Sequence, residues 1–443
     1  MTTLAQLLSD YVRQNPRSSQ LFQRAQAVLP GGNTRTGVYV DPFPLYMRSG
    51  CGAYTTDVDG NRRLDFINNA TALILGHAHL AITSALDEHV HHGTAFFAPT
   101  ELEIELAELL RARLPSMQRV RFCSSGTEAV LNALRAARAF TCRGHVAKFE
   151  GAYHGIDDPA MISYMPPVDA SLGPAHRPHS VHSSAGLAPG TAASVVVLPF
   201  NDADACEVIL RETAADLAAV IIDPLSTATG LVLPQRAFLD RLRAVTRELG
   251  ILLIFDEIVS FRLSMGGTQG AYEIDPDLTC LAKVIAGGTA GGAFGGREDV
   301  MALYDPTDGP PAIAQSGTYN GNPIATAAGL ATLNTMTSEA YATLEGLTAD
   351  LGAALEQTFR SAGVKACVVV AGSMFRIYFL AEPPTNYRQA AADSKEKHRW
   401  LYFWMANHGI AIRQGGAPSL PMTIEHAERL VDETDRALQE WPF

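Results

Sequence analysis

The sequence predicts an α/β protein with a mostly parallel central sheet flanked by helices, plus a smaller α/β unit. Three observations predict it. Short β-branched runs such as SVVVLPF, LAAVIID and ILLIFDE are apolar throughout, as strands covered on both faces require. Amphipathic helical runs alternate with them. The chain, at 443 residues, exceeds one typical domain.

Taken in order, the opening segment reads as helical to about Leu29, stopped by Pro30-Gly31-Gly32. TGVYV and GAYTTDVDG follow as strand-like pieces, the second with an Asp-Gly turn. LAITSALDEHVHH and ELEIELAELLRARL have helical spacing. RVRFC, HVAKFE, SVVVLPF, LAAVIID and ILLIFDE then read as strands. TEAVLNALRAARAF, DADACEVILRETA and QRAFLDRLRAVTRELG read as the helices among them. Between Gly155 and Ala193 the pattern stops. Six prolines with Gly, Ala and Ser mark a long loop, and loops of that length are lids or disordered. After Asn322 come two helical runs, the strand-like ACVVV and MFRIYFL, and a final helix IEHAERLVDETDRALQEW.

Composition excludes several classes. A hydrophobic content of 47% with mean hydropathy +0.05 suits a soluble chain with a large core. A net charge of −12 disfavours nucleic acid or an anionic membrane as partner. No apolar run reaches membrane-spanning length and no secretory h-region opens the chain. Six scattered cysteines form no disulfide framework, so a cytoplasmic location is expected. No metal motif is present: the histidines at 77, 79, 89, 91 and 92 lack partners at ligand spacing and read as turn and helix-surface residues.

Four features fall at predicted strand ends, where α/β sheets bind ligands. Ser125-Gly126-Thr127 joins a strand to a helix and can cradle a phosphate, or can be an ordinary N-cap. Tyr153-His154, between Gly151 and Gly155, offers a ring in an exposed turn, or covers the core. Asp256-Glu257 ends an apolar strand; a magnesium role would need a GxxxxGK[ST] loop, which the chain lacks. Lys283 is one of only five lysines and lies in the apolar run PDLTCLAKVIAGG. An ammonium there is costly, and desolvation favours the neutral, nucleophilic amine. One cofactor accounts for all four. Pyridoxal 5′-phosphate needs a phosphate cradle, an acid at its pyridine nitrogen, a ring to stack on and a lysine for its Schiff base.

On the pieces DVDGNRRLDF, LGHAHL, FCSSGTEAVLNALRAAR, KFEGAYHG, LLIFDEIVSFR, PDLTCLAKVIAGG, GAFGGREDVM and GTYNGNP, the sequence resembles the class III pyridoxal-phosphate aminotransferases of fold type I over nearly its whole length. It looks closest to the branch holding glutamate-1-semialdehyde aminomutase, β-phenylalanine aminotransferase and D-phenylglycine aminotransferase. The resemblance implies that Lys283 carries the cofactor, that Asp256 pairs with its ring nitrogen, and that Ile258 and Tyr153 cover the two ring faces. It implies that Ser125, Gly126 and Thr127 bind the phosphate and that Thr318 reaches the phosphate of the other subunit of a homodimer. Arg35 is implied to grip the substrate carboxylate, with Arg413 a second candidate. It implies three segments: 1–58 joining the small domain, 59–322 binding the cofactor, and 323–443 forming the rest of the small domain. The activity implied is a ping-pong amino transfer from a β-amino or D-amino acid to a 2-keto acid; the alternative is an intramolecular aminomutase of the glutamate-semialdehyde type. One departure stands out: Asp223-Pro224 replaces the family's usual Glu-Pro, and the glutamine or asparagine a few residues later is missing from LSTATG.

Overall fold

The five strands expected from the β-branched runs assemble with two more into one seven-stranded sheet in the computed structural model, which describes residues 1–443. They are β1 (Arg119–Cys123), β2 (His145–Phe149), β3 (Val195–Leu198), β4 (Leu217–Ile222), β5 (Leu252–Asp256), β6 (Leu278–Ala282) and β7 (Gly292–Gly296), in the spatial order β1-β7-β6-β5-β4-β2-β3. All run parallel except β7, which pairs antiparallel with both β6 and β1. The expected strands include neither β6 nor β7. The residues of β7, GAFGG, have almost no β propensity, and only the slot between two neighbours makes them a strand.

Helix Gly126–Thr141 packs a small-residue face, with Ala129, Ala133, Ala136 and Ala137 fully buried, into the core under this sheet. Small side chains let the helix lie close to the strands. Helix Pro323–Thr335 packs against Leu80–Val90 and Glu101–Arg113.

The chain divides into two units. One comprises Leu80–Tyr341 with Pro384–Ala392 and holds the large sheet; the other comprises Met1–His79, Ala342–Pro383 and Asp393–Phe443. The divisions therefore differ from those expected at 58/59 and 322/323. Strand Arg62–Asp65 pairs with Tyr54–Asp57, and that pairing keeps residues 59–79 with the first segment. The packing of Pro323–Thr335 keeps that helix with the large sheet.

The second unit contains strands Met47–Cys51, Tyr54–Asp57 and Arg62–Asp65, with Ile410–Ala411 added parallel to the last, and a separate antiparallel sheet of Cys367–Ala371, Met374–Tyr378 and Gly415–Gly416. Its core gathers Tyr11, Phe403, Trp400, Trp404 and Trp441. The opening helix is in fact two, Leu4–Gln14 and Pro16–Gln26, because Pro16 starts a new helix and Asn15 folds its amide back onto the Tyr11 carbonyl at 2.6 Å. TGVYV is no strand. Thr36–Val38 forms a 3₁₀ turn, with the Arg35 amide held by Asn33 Oδ1 at 2.8 Å. The charged run SKEKHR opens a helix, Lys395–Asn407, capped by Ser394; its buried face of Trp400, Leu401, Phe403 and Trp404 shows only beyond the charges. No helix is long and apolar enough to cross a membrane.

Candidate active site

The carboxyl ends of β1, β6, β5, β4 and β2 carry, respectively, Ser124–Thr127, Lys283, Asp256, Asp223 and Tyr153-His154. Residues far apart in sequence thus share one sheet edge.

Ser125 caps helix Gly126–Thr141, its Oγ accepting from the Glu128 amide at 3.2 Å. The Gly126 and Thr127 amides, in the first turn, have no acceptor in the chain, so they and the helix dipole form an anion seat. Two glycines keep the seat open. A Cβ on Gly126 would lie 2.6 Å from Ile258 Cδ1, and one on Gly292, at the start of β7, would lie 2.6 Å from the Ser125 carbonyl oxygen. β7 therefore closes the seat from the side.

Asp256 is buried. Its Oδ2 lies 2.7 Å from His154 Nδ1, and its Oδ1 accepts from the Ile258 amide at 3.2 Å. His154 Nε2 is buried without a partner, so the imidazole is dedicated to this one contact. Sequence reading set His154 aside as half of an exposed pair; its place between two glycines at a strand end was the available signal. Glu257 turns the other way and is bound by the amides of Thr268 and Gln269 and the Gln269 side chain, holding the loop behind the strand. Burial pushes its carboxyl up to about 7, against those three donors.

Lys283 opens a 3₁₀ turn at the end of β6 with φ 52°. Few non-glycine residues adopt that conformation, and those that do cluster at functional sites. Burial lowers its pKa, while the charges of Asp256 and Asp223 act in the opposite sense. Asp223 is buried too, with the Thr227 amide and hydroxyl on its Oδ2 at 2.7 and 2.5 Å. Burial first, and the charge of Asp256 second, push its carboxyl up to about 6.

The fully buried lysine of the chain has a different task. Lys148, in β2, donates to the carbonyls of Ala152, Ala160 and Ile162 at 2.8, 2.6 and 2.6 Å. Three acceptors need all three ammonium protons, which counters the desolvation that draws its pKa down to about 7. It anchors the turn bearing Tyr153 and His154. Arg388 pairs its Nε and Nη2 with Glu150 at 2.9 and 2.8 Å and also donates to the Gly173 and Leu172 carbonyls. The 155–193 segment is thereby pinned at several points, although it has little regular structure.

Tyr153 stands 39% exposed, its ring centroid 5.0 Å from that of Tyr164. Thr318 is exposed, beside a groove of about 620 Å³ lined by Glu103, Arg111, Arg121 and Asn320. Arg35 and Arg413 belong to the other unit, where both reach the same 3₁₀ turn: Arg35 precedes it, and Arg413 donates to the Val38 carbonyl at 3.4 Å.

An amide-lined anion seat, a carboxylate steadied by an imidazole, a desolvated lysine and a half-exposed aromatic ring fit pyridoxal 5′-phosphate. The sequence profile of the family described as aminotransferase class-III matches residues 36–438. The chain belongs to the class III aminotransferase family. Its cofactor is pyridoxal 5′-phosphate. Among class III relatives, the chain is 41% identical over 423 residues to a protein of Roseiflexus castenholzii named glutamate-1-semialdehyde 2,1-aminomutase, covering 94% of this chain and 95% of that one. Among solved structures, an ω-transaminase from Sphaerobacter thermophilus superposes with a TM-score of 0.93 at 43% identity, over 97% of this chain and 99% of that one. A β-phenylalanine aminotransferase from Variovorax paradoxus gives 0.89 at 34%, over 99% and 97%. The fold expected from sequence, fold type I, is therefore the fold of this class III enzyme.

Proposed function

We propose that this class III enzyme exchanges an amine and a carbonyl on a small carboxylate-bearing substrate, within one molecule as in a glutamate-1-semialdehyde aminomutase. The observation that carries the amine chemistry is the meeting of Lys283, Asp256, His154 and Asp223 at one sheet edge. The name of the 41% relative supports the intramolecular form better than the intermolecular transfer expected from sequence. A second reading, transfer between an amino acid with a β-amino or D-centre and a keto acid, has its own support: the ω-transaminase and β-phenylalanine aminotransferase at 43% and 34% identity.

The chemistry the group would supply when bound is an aldehyde for the substrate amine and an electron-poor ring for the charge left by a departing proton. The chain's residues do the rest. Asp256 keeps the ring nitrogen protonated and His154 fixes the carboxylate's direction. The amides of Ser125, Gly126 and Thr127 hold the phosphate. Tyr153 and Ile258 clamp the ring faces. Lys283, its basicity lowered by burial, would hold the cofactor and move the substrate proton. Arg35 holds the substrate carboxylate, with Arg413 assisting; the fork of an arginine suits that group. The working unit is a homodimer in which the partner subunit's Thr318 completes the phosphate site.

The test is to offer purified enzyme glutamate-1-semialdehyde with no keto acid, and separately β-phenylalanine with 2-oxoglutarate or pyruvate. Continuous turnover in the first mixture supports the mutase; turnover only in the second supports the transaminase. If neither mixture reacts, both readings fall.

A further inference from the structure

Residues Asn68, Asn69, Ala70 and Thr71 have φ of 48°, 48°, 55° and 72°. Single L-residues visit the left-handed region; four in succession make a left-handed turn, which sterics oppose at each step. The turn is held from both sides. Asp65 Oδ1 accepts from the Ile67 and Asn68 amides at 2.8 and 3.2 Å, while its Oδ2 meets His77 Nε2 at 2.7 Å. Asn68, fully buried, donates its side-chain amide to the Ala417 carbonyl. Strain kept in place by buried tethers points to what the turn presents.

It presents Asn69. With Asn68 turned inward, the exposed Asn69 side chain places Oδ1 2.8 Å from Arg35 Nη1. Arg35 makes no salt bridge; its side-chain partner is the neutral Asn69 amide. The guanidinium is thus bonded to a neutral partner and its charge is not cancelled by an ion pair.

We propose that Asn69 is a positioning residue for Arg35: a neutral latch, set by the left-handed turn, that aims the guanidinium at a substrate carboxylate without cancelling its charge. The proposal rests on the reading of Arg35 given above. A neutral amide oxygen suits the task. A bond to it has a neutral acceptor, so it is weaker than one between guanidinium and carboxylate, and an arriving carboxylate wins the remaining N–H groups. An aspartate at the same position would occupy the fork as an internal rival.

The experiment measures binding of 3-phenylpropanoate and of its uncharged amide to the holoenzyme by titration calorimetry. Neither probe has an amine to react. Arg35→Ala is expected to weaken the carboxylate roughly tenfold and leave the amide probe unchanged. Asn69→Gly keeps the positive φ and deletes the latch; it should weaken the carboxylate about threefold to tenfold. Asn69→Asp should weaken it further, with the amide probe again unmoved. If Arg35→Ala weakens the carboxylate while both Asn69 variants bind like the parent, the latch is wrong and the Arg35 reading stands. If Arg35→Ala changes nothing, that reading fails and takes the latch with it. Should Asn69→Gly not fold, Asn69→Asp, which is isosteric, decides alone.

Discussion

Two lysines with opposite surroundings show how one side chain is put to two uses. Lys148 has three carbonyls around it, and Lys283 has none. Lys148→Met should leave those three acceptors buried and unsatisfied, costing on the order of 3 kcal/mol or more. A lower thermal midpoint with weakened cofactor binding is the expected result, since the turn bearing His154 loosens. Lys283→Ala should instead fold normally and lose turnover by about 10³-fold or more. Circular dichroism and a single-turnover assay separate the two cases. Asp223 gives a pH prediction. Its folded pKa, raised to about 6, lies above the unfolded value near 4, so the protonated carboxyl stabilises the fold at low pH. That contribution is complete below about pH 4 and is lost as the pH climbs through about 6. Asp223→Asn buries no charge. In the cofactor-free protein it should therefore gain on the parent as pH rises, by up to about 3 kcal/mol once the carboxylate is fully ionised. A gap in thermal midpoint that widens from pH 5 to pH 8 is the measurement; a constant gap would count against it.

At the scale of elements, the strands and helices that pack by apolar pattern were legible: β1 to β5 and the helices among them all follow the expected runs within a few residues. The elements that escaped owe their form to neighbours. β7 is a strand only because β1 and β6 flank it, and the Lys395–Asn407 helix hides its apolar face behind a charged first turn. The same division holds at the site. Lys283, Asp256 and the Ser125–Thr127 seat announce themselves by residue type at strand ends. His154 does not, because its partner is 102 residues away and only the sheet order brings them together. Nor does the left-handed turn at Asn68–Thr71, since nothing in the letters NNAT demands it. Gly292→Ala should push β7 off the Ser125 carbonyl and raise the cofactor's dissociation constant about tenfold, an overpacking cost of about 1–3 kcal/mol. Equilibrium titration of the cofactor-free protein reads it directly. Arg388→Ala should free the 155–193 segment; faster protease nicking there, with the sheet intact, is the expected result.

For the whole molecule, the exposed surface carries a further expectation. Phe97 is fully exposed and Phe96 half-exposed, just before the helix whose Ile104 and Glu108 line the 620 Å³ groove. Large apolar side chains so displayed mark interaction surfaces. A native mass of twice 47.4 kDa is expected in sedimentation, and Phe97→Asp should shift it towards the single chain with loss of bound cofactor. The order of the strands also bears on how the protein is made. β1, which bears the anion seat, joins the remaining sheet solely through β7, yet some 170 residues of chain separate the two. On the ribosome, β1 must wait for its bridge while β2 to β6 can already pair among themselves. A nascent polypeptide halted before Gly292 would have a nearly finished sheet with its anion seat still detached, so firm capture of the coenzyme is expected late in biosynthesis.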